Sequence, residues 1–154
     1  VTGRPADQFG GLYRTNRVGP VFVMNWSGNT SDREKVKRTI QHEYTHHVLS
    51  HYSDLVYPKW YVEGFCEYLS TLTRKDSHTY VLGRPITSRL NRLNRKSWSP
   101  MSDLLSAVKT YPFTIDTRKD STFIETFYAQ SWLSVAYIHS RPELAGKTST
   151  YYFQ

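Results

Sequence analysis

The sequence has a single cysteine and no long apolar run. Cys66 is the only cysteine among 154 residues, so an internal disulfide is excluded. No apolar stretch reaches the roughly 20 residues that a transmembrane helix needs, and we expect no signal peptide in the chain. Internal repeats and low-complexity tracts are also lacking. These absences favour one globular domain over residues 1–154, without a membrane span and with its compartment left open, a secreted or cell-envelope location included.

Aromatic residues, in contrast, are plentiful and supply one core with bulky side chains. They make up 15% of the chain, with 12 tyrosines and 4 tryptophans.

Glycines lie near the starts of two predicted N-terminal strands, the second over 18–25. Residues 75–88 are predicted to form a loop or short strands. Apolar periodicity and capping residues predict four helices, over about 31–51, 58–74, 101–110 and 120–140. The fold class is therefore α+β, with strands and the first helices in about 1–75 and a helical part in about 98–145.

The segment 42–46 reads His-Glu-Tyr-Thr-His and lies in the middle of the first predicted helix. Positions 42 and 46 share one helix face about 6 Å apart, so both imidazoles can reach one metal ion. Glu43, one position further round, can then face a water molecule on that metal. This spacing places two ligands beside a proton acceptor, which is a zinc-hydrolase arrangement.

A second segment, 60–68, reads Trp-Tyr-Val-Glu-Gly-Phe-Cys-Glu-Tyr and supplies a carboxylate. Glu63 and Glu67 lie one helical turn apart, and residues 53–58 are enough for a chain reversal that returns them to the histidines. A catalytic zinc ion takes three protein ligands and keeps one position open for water, and two histidines with one glutamate are a standard set. The two segments together predict one zinc ion per chain.

The two segments resemble the gluzincin branch of the zincin metallopeptidases, especially the thermolysin-like (peptidase MA-like) catalytic domains. The second motif of those domains reads Trp-x-x-Glu-Gly-x-Ala-Glu-Tyr, and Cys66 stands here in place of the alanine. The resemblance implies that Glu43 is the general base and that Glu67 orients the first histidine through its second ring nitrogen. It implies three zinc ligands: His42, His46 and Glu63.

Beyond the metal segments the resemblance is weaker. Residues 18–25 are expected to form the edge strand that pairs with an extended substrate. Segment 126–132 resembles the helical segment that carries a transition-state tyrosine in aminopeptidase-like relatives, so Tyr128 is the expected oxyanion donor. The implied fold is zincin-like, with an N-terminal mixed β-sheet, an active-site helix and a predominantly helical C-terminal part.

Each candidate also has a purely structural interpretation. The metal-segment histidines can be polar residues of a solvated helix, the two glutamates a solvated pair, and Tyr128 a packing residue. Cys66 is most simply a small apolar residue. Four further histidines are predicted to be surface or packing residues, namely His47, His51, His78 and His139.

The net charge of +7 supports a different class of hypothesis. Residues 89–96 contain four cations, and such clusters can contact phosphates. No helix-turn-helix, zinc-finger spacing or ribonucleoprotein-type motif accompanies them, so no specific nucleic-acid partner is expected. We interpret the cluster as a solvated basic face, with a dedicated anion site, or a surface that attracts acidic substrates, as alternatives.

The sequence thus predicts a zinc metallopeptidase that cuts peptide or protein substrates with Glu43 as the base. The alternative is a catalytically inactive zinc-binding or scaffold domain with a basic anion-binding surface. The two differ in whether the metal keeps an open position for water.

Overall fold

The computed structural model describes residues 11–24, 33–52, 57–94, 98–106 and 121–152, which mix helices with two small sheets. The strands are β1 (Gly11–Asn16), β2 (Gly19–Met24), β3 (Thr73–Arg74) and β4 (Tyr80–Val81). The helices are α1 (Arg33–Tyr52), α2 (Lys59–Leu69), α3 (Thr87–Leu93), α4 (Met101–Leu105), α5 (Ser121–His139) and α6 (Pro142–Tyr152). None of these helices is both long and apolar enough to cross a membrane.

The two N-terminal strands form an antiparallel hairpin, with Gly11 opposite Met24 and Asn16 opposite Gly19. The Asn16 side chain accepts hydrogen bonds from the backbone N–H groups of Val18 and Gly19, which stabilises the turn. The predicted pair of strands is confirmed. The described residues form only two-stranded antiparallel sheets, because each pair of strands is joined by a short reversal. The expected N-terminal mixed sheet is therefore not found among them.

Helix positions agree with the periodicity for α1, α2 and α5. The second helix ends earlier than predicted, at Leu69, and Ser70 follows as its C-cap. The first half of the predicted helix over 101–110 is α4, Ser106 is its C-cap, and residues 107–110 lie outside the described residues. Pro142 ends the fourth predicted helix but also begins α6, since proline is well suited to a first helical position.

The core lies between α2 and α5. Its buried apolar side chains are Trp60, Tyr61, Leu104, Phe127 and Val135. On α5 the residues Phe127, Ser131 and Val135 recur every four residues and are all buried. Because α2 also carries Glu63 and Glu67, packing against α5 fixes the position of the two carboxylates.

Gly64 allows α2 and α5 to approach closely. A Cβ atom at position 64 would lie 2.3 Å from the Ser131 carbonyl oxygen and 2.8 Å from Val135 Cγ2. Backbone atoms cannot move aside as a flexible side chain can, so any larger residue must separate the two helices.

We therefore expect Gly64→Ala to lower the free energy of unfolding by about 1–2 kcal/mol, measured by urea denaturation. Overpacking outweighs the gain of about 1 kcal/mol in helix propensity that alanine brings. Gly146→Ala in α6 is the matched control, because no described atom lies within 4 Å of that Cβ position. Equal midpoints for the two variants would contradict the close approach of α2 and α5.

Candidate metal site

Helix α2 returns along α1 and brings three candidate ligand atoms together. His42 Nε2 and His46 Nε2 lie 3.2 Å apart, and each is 3.3 Å from Glu63 Oε2. Ligands at about 2.0–2.1 Å from a tetrahedral zinc ion are about 3.3 Å from one another. The three atoms are thus spaced as three corners of such a tetrahedron.

The Glu63 carboxylate is buried and only half satisfied. One oxygen, Oε1, pairs with the Lys59 ammonium one turn earlier on α2. The other, Oε2, is buried without a hydrogen-bond partner among the described residues, although the two imidazoles are close. A buried carboxylate oxygen without a partner is costly. A cation between Oε2 and the imidazoles would satisfy it, so the donor set fits a metal ion.

The charges around the site also favour a cation. Burial lowers the pKa of His42, but Glu63, Glu67 and Glu43 outweigh it and raise this pKa above its ordinary value. Burial raises the pKa of Glu63, but the two histidines and Lys59 bring it well below its usual range. Three carboxylates surround the histidines, so positive charge is stabilised there.

Cys66 is a fourth candidate that the sequence interpretation missed. Together with His42 and His46 it forms a group that could hold a metal ion, with ligand atoms within 4.8 Å of one another. The sequence could have indicated this candidate, because Cys66 lies three residues after Glu63 and therefore on the same helix face. Burial and the neighbouring carboxylates Glu63, Glu43 and Glu67 raise the pKa of the Cys66 thiol well above its usual range. Glu63 is the better placed anionic ligand, because its Oε2 atom lies 3.3 Å from both imidazole nitrogens.

Glu67 connects the site to α3. Its Oε1 atom lies 3.5 Å from His42 Nδ1. Arg89 donates to both carboxylate oxygens, at 2.6 and 3.0 Å, and this bidentate pairing fixes the carboxylate. Glu67 therefore lies where a carboxylate that orients the His42 ring is expected, and Arg89 holds this carboxylate in place.

The interpretation of residues 89–96 as a solvated face is wrong for two of its arginines. Arg89 is half-buried and paired with Glu67, and Arg92 is buried with its Nε donating to Thr126 Oγ1 at 2.7 Å. Positions 89 and 92 are three residues apart and share a face of α3, which meets polar partners on α2 and α5, whereas Leu90 is exposed.

Glu43 is held by the backbone of β1. The Tyr13 N–H donates to Glu43 Oε2 at 2.7 Å, and Oε1 makes no hydrogen bond among the described residues. A Cβ on Gly11 would lie 2.4 Å from Thr39 Cγ2, so glycine permits this close approach of strand to helix. The strand that contacts the candidate base is thus β1, whereas the sequence interpretation assigned the substrate edge to residues 18–25.

Tyr128 lies beside the histidines. Its ring centroid is 6.1 Å from that of His42, and the Arg89 guanidinium lies 5.1 Å from the centroid of the same ring. Tyr128 also lines a cavity of about 300 Å³ with His42 and Glu43. The structure therefore brings this predicted residue to the site.

The other histidines occupy surface or packing positions, as predicted. His47 and His51 surround the Tyr13 hydroxyl, at 2.7 and 3.3 Å from their Nδ1 atoms. His139 contacts the Tyr61 hydroxyl at 3.1 Å, and His78 is exposed.

Comparison with protein-family models, with curated proteins and with solved structures gave no match for this chain. The function is therefore inferred from the geometry of the site.

Proposed function

We propose that the protein is a zinc-dependent metallopeptidase that hydrolyses peptide bonds with Glu43 as general base. The observation that carries the proposal is the triangle of His42 Nε2, His46 Nε2 and Glu63 Oε2, in which the buried carboxylate oxygen has no hydrogen-bond partner among the described residues. These three residues would hold the ion. Bound zinc supplies a Lewis acid that lowers the pKa of water toward about 7 and polarises a carbonyl group.

The surrounding residues have separate tasks in this proposal. Tyr13 fixes one oxygen of Glu43, which leaves Oε1 to accept a proton from the attacking water and to return it to the leaving nitrogen. The Glu67 carboxylate, held by Arg89, keeps the His42 ring in place. The Tyr128 hydroxyl is the proposed donor to the oxyanion that develops on the carbonyl oxygen.

A non-catalytic zinc-binding domain is the second candidate, and Cys66 is the observation that favours it. If this thiol joined the two histidines and Glu63, the ion would have four protein ligands and no open position for water. The spacing argues against such a closed site, because the ligand atoms of His42, His46 and Glu63 lie within 3.3 Å of one another and those of the group with Cys66 only within 4.8 Å.

Metal removal tests the proposal. Protein purified without added zinc is expected to contain about one zinc per chain by elemental analysis and to cleave members of a blocked-peptide library. A chelator should abolish cleavage, and added zinc should restore it, because the ion supplies the Lewis acid.

Circular dichroism of the chelated protein is the control for unfolding, and magnesium is the control ion, since it prefers six oxygen ligands. A folded wild-type chain that cannot be loaded with zinc would overturn the proposal. Stoichiometric zinc without cleavage of any peptide would favour the non-catalytic domain.

A further inference from the structure

The cavity beside the candidate site extends along the N-terminal half of α1. Besides the site residues it is lined by two cations, Lys35 and Arg38, and by small hydroxyl side chains. Positions 35, 38 and 42 share a face of α1, because they are separated by four and seven residues. The cations therefore lie one and two turns before His42, on the side of the helix that the site uses.

A second cavity of about 480 Å³ adjoins the first and continues its positive charge. The two cavities share Arg38 and further wall residues. The second adds Lys37 and Arg84, and Glu34 is its only carboxylate among the described lining residues. Arg38 thus stands at the junction of two cavities that both carry excess positive charge.

The two cavities together form a groove whose four cations have no partner among the described residues, whereas each carboxylate of the first cavity already has one. Glu67 is paired with Arg89, and Glu43 accepts from the Tyr13 N–H. Among the described residues, no ion pair or side-chain hydrogen bond engages the four cations, Lys35, Lys37, Arg38 and Arg84. Unpaired guanidinium and ammonium groups in a concave site are suited to an incoming carboxylate.

We propose that Arg38, assisted by Lys35, forms a subsite for an acidic side chain of the substrate, so that the protein prefers peptides with Asp or Glu near the cleaved bond. This inference rests on the proposed peptidase function and specifies its substrate class. Arg38 lies about 6 Å and Lys35 about 10 Å along the helix from His42, at 1.5 Å per residue. An extended peptide advances about 3.3 Å per residue, so the acidic residue lies about two to three residues from the scissile bond.

The test is a scan with blocked hexapeptides in which one Glu, Gln or Lys is moved through each position of an Ala/Leu background. At one position, about two to three residues from the cleavage point, Glu is expected to raise kcat/KM about tenfold over Gln. Arg38→Gln should remove this preference, and Arg38→Glu should reverse it toward Lys. The preference should also fall as salt is raised, because the groove is partly open to solvent.

Arg17→Gln is the charge-matched control, since Arg17 is exposed at the turn between β1 and β2. It should keep the wild-type preference. Binding of the Glu and Gln peptides to zinc-loaded Glu43→Gln protein, measured by calorimetry, provides a readout without turnover.

The outcomes separate the subsite from the peptidase function. Cleavage without discrimination between Glu and Gln, or equal preference in wild type and Arg38→Gln, would overturn the subsite and leave the peptidase intact. Tighter binding of the Glu peptide, lost in an Arg38→Gln/Glu43→Gln double variant, would support the subsite even if wild type cleaved no peptide and the peptidase proposal failed. Equal binding together with no cleavage would overturn both.

Discussion

Glu43→Gln is expected to lower kcat by about a thousandfold while zinc remains bound at one ion per chain. The amide is nearly isosteric and its oxygen can still accept from the Tyr13 N–H, so β1 should stay in place. The amide cannot, however, accept a proton from water. The loss should therefore appear in kcat, with the zinc content and the unfolding midpoint unchanged.

Initial rates on the best peptide and elemental analysis of the same preparation measure both quantities. Glu143→Gln, on the exposed surface of α6, is the matched control, since it makes the same change in charge away from the site. Full activity in Glu43→Gln would show that another group takes the proton. Loss of zinc in this variant would instead place Glu43 among the metal-binding residues.

The parts of this site that could be predicted from the sequence are those set by local spacing. Two histidines four residues apart must share a face of α1, and the two glutamates of α2 do so for the same reason. A short connection then makes α2 return along α1, as the contacts of His46 with Glu63 and of His42 with Glu67 show. Helix geometry alone therefore accounts for most of the ligand cluster. The zincin-like fold stays a prediction.

The contacts that could not be predicted come from distant segments. Arg89 reaches Glu67 from α3, 22 residues further along the chain, and the sequence indicated only that it belongs to a basic cluster. Tyr13 holds Glu43 through a backbone N–H, which carries no side-chain signature in the sequence. Such contacts depend on tertiary packing, for which periodicity provides no information.

Because periodicity does not reveal tertiary packing, the apolar pattern of α1 did not indicate which face of this helix is buried. Ile40 and Tyr44 recur at helical spacing, yet they are 48% and 58% exposed. Thr45 is the buried residue of α1, since the face that meets α2 is the one that carries the histidines. The histidines and glutamates therefore replace an ordinary apolar contact between these two helices, so part of their interface depends on polar and charged groups.

Zinc affinity is expected to fall about a hundredfold in Glu63→Gln and by less than about threefold in Cys66→Ala. Structural zinc sites bind with about 10–16 kcal/mol, or roughly 3 kcal/mol for each of four ligands, which corresponds to about a hundredfold. Glutamine preserves the shape of Glu63 and its contact with Lys59 but removes the charge. The group with Cys66 has the wider spacing, with ligand atoms within 4.8 Å of one another against 3.3 Å for the triangle with Glu63, so the thiol should add little to the affinity. Competition with a chromogenic chelator measures both affinities.

Cobalt substitution decides between an open and a closed site independently of affinity. A thiolate ligand gives a sulfur-to-cobalt charge-transfer band in the near ultraviolet, whereas two imidazoles and a carboxylate do not. We expect no such band in wild type and full peptidase activity in Cys66→Ala. A band that disappears in Cys66→Ala, with a hundredfold loss of affinity, would show that the thiol closes the coordination sphere. The open position that hydrolysis needs would then be absent, and the non-catalytic zinc domain would replace the peptidase as the better account of this geometry.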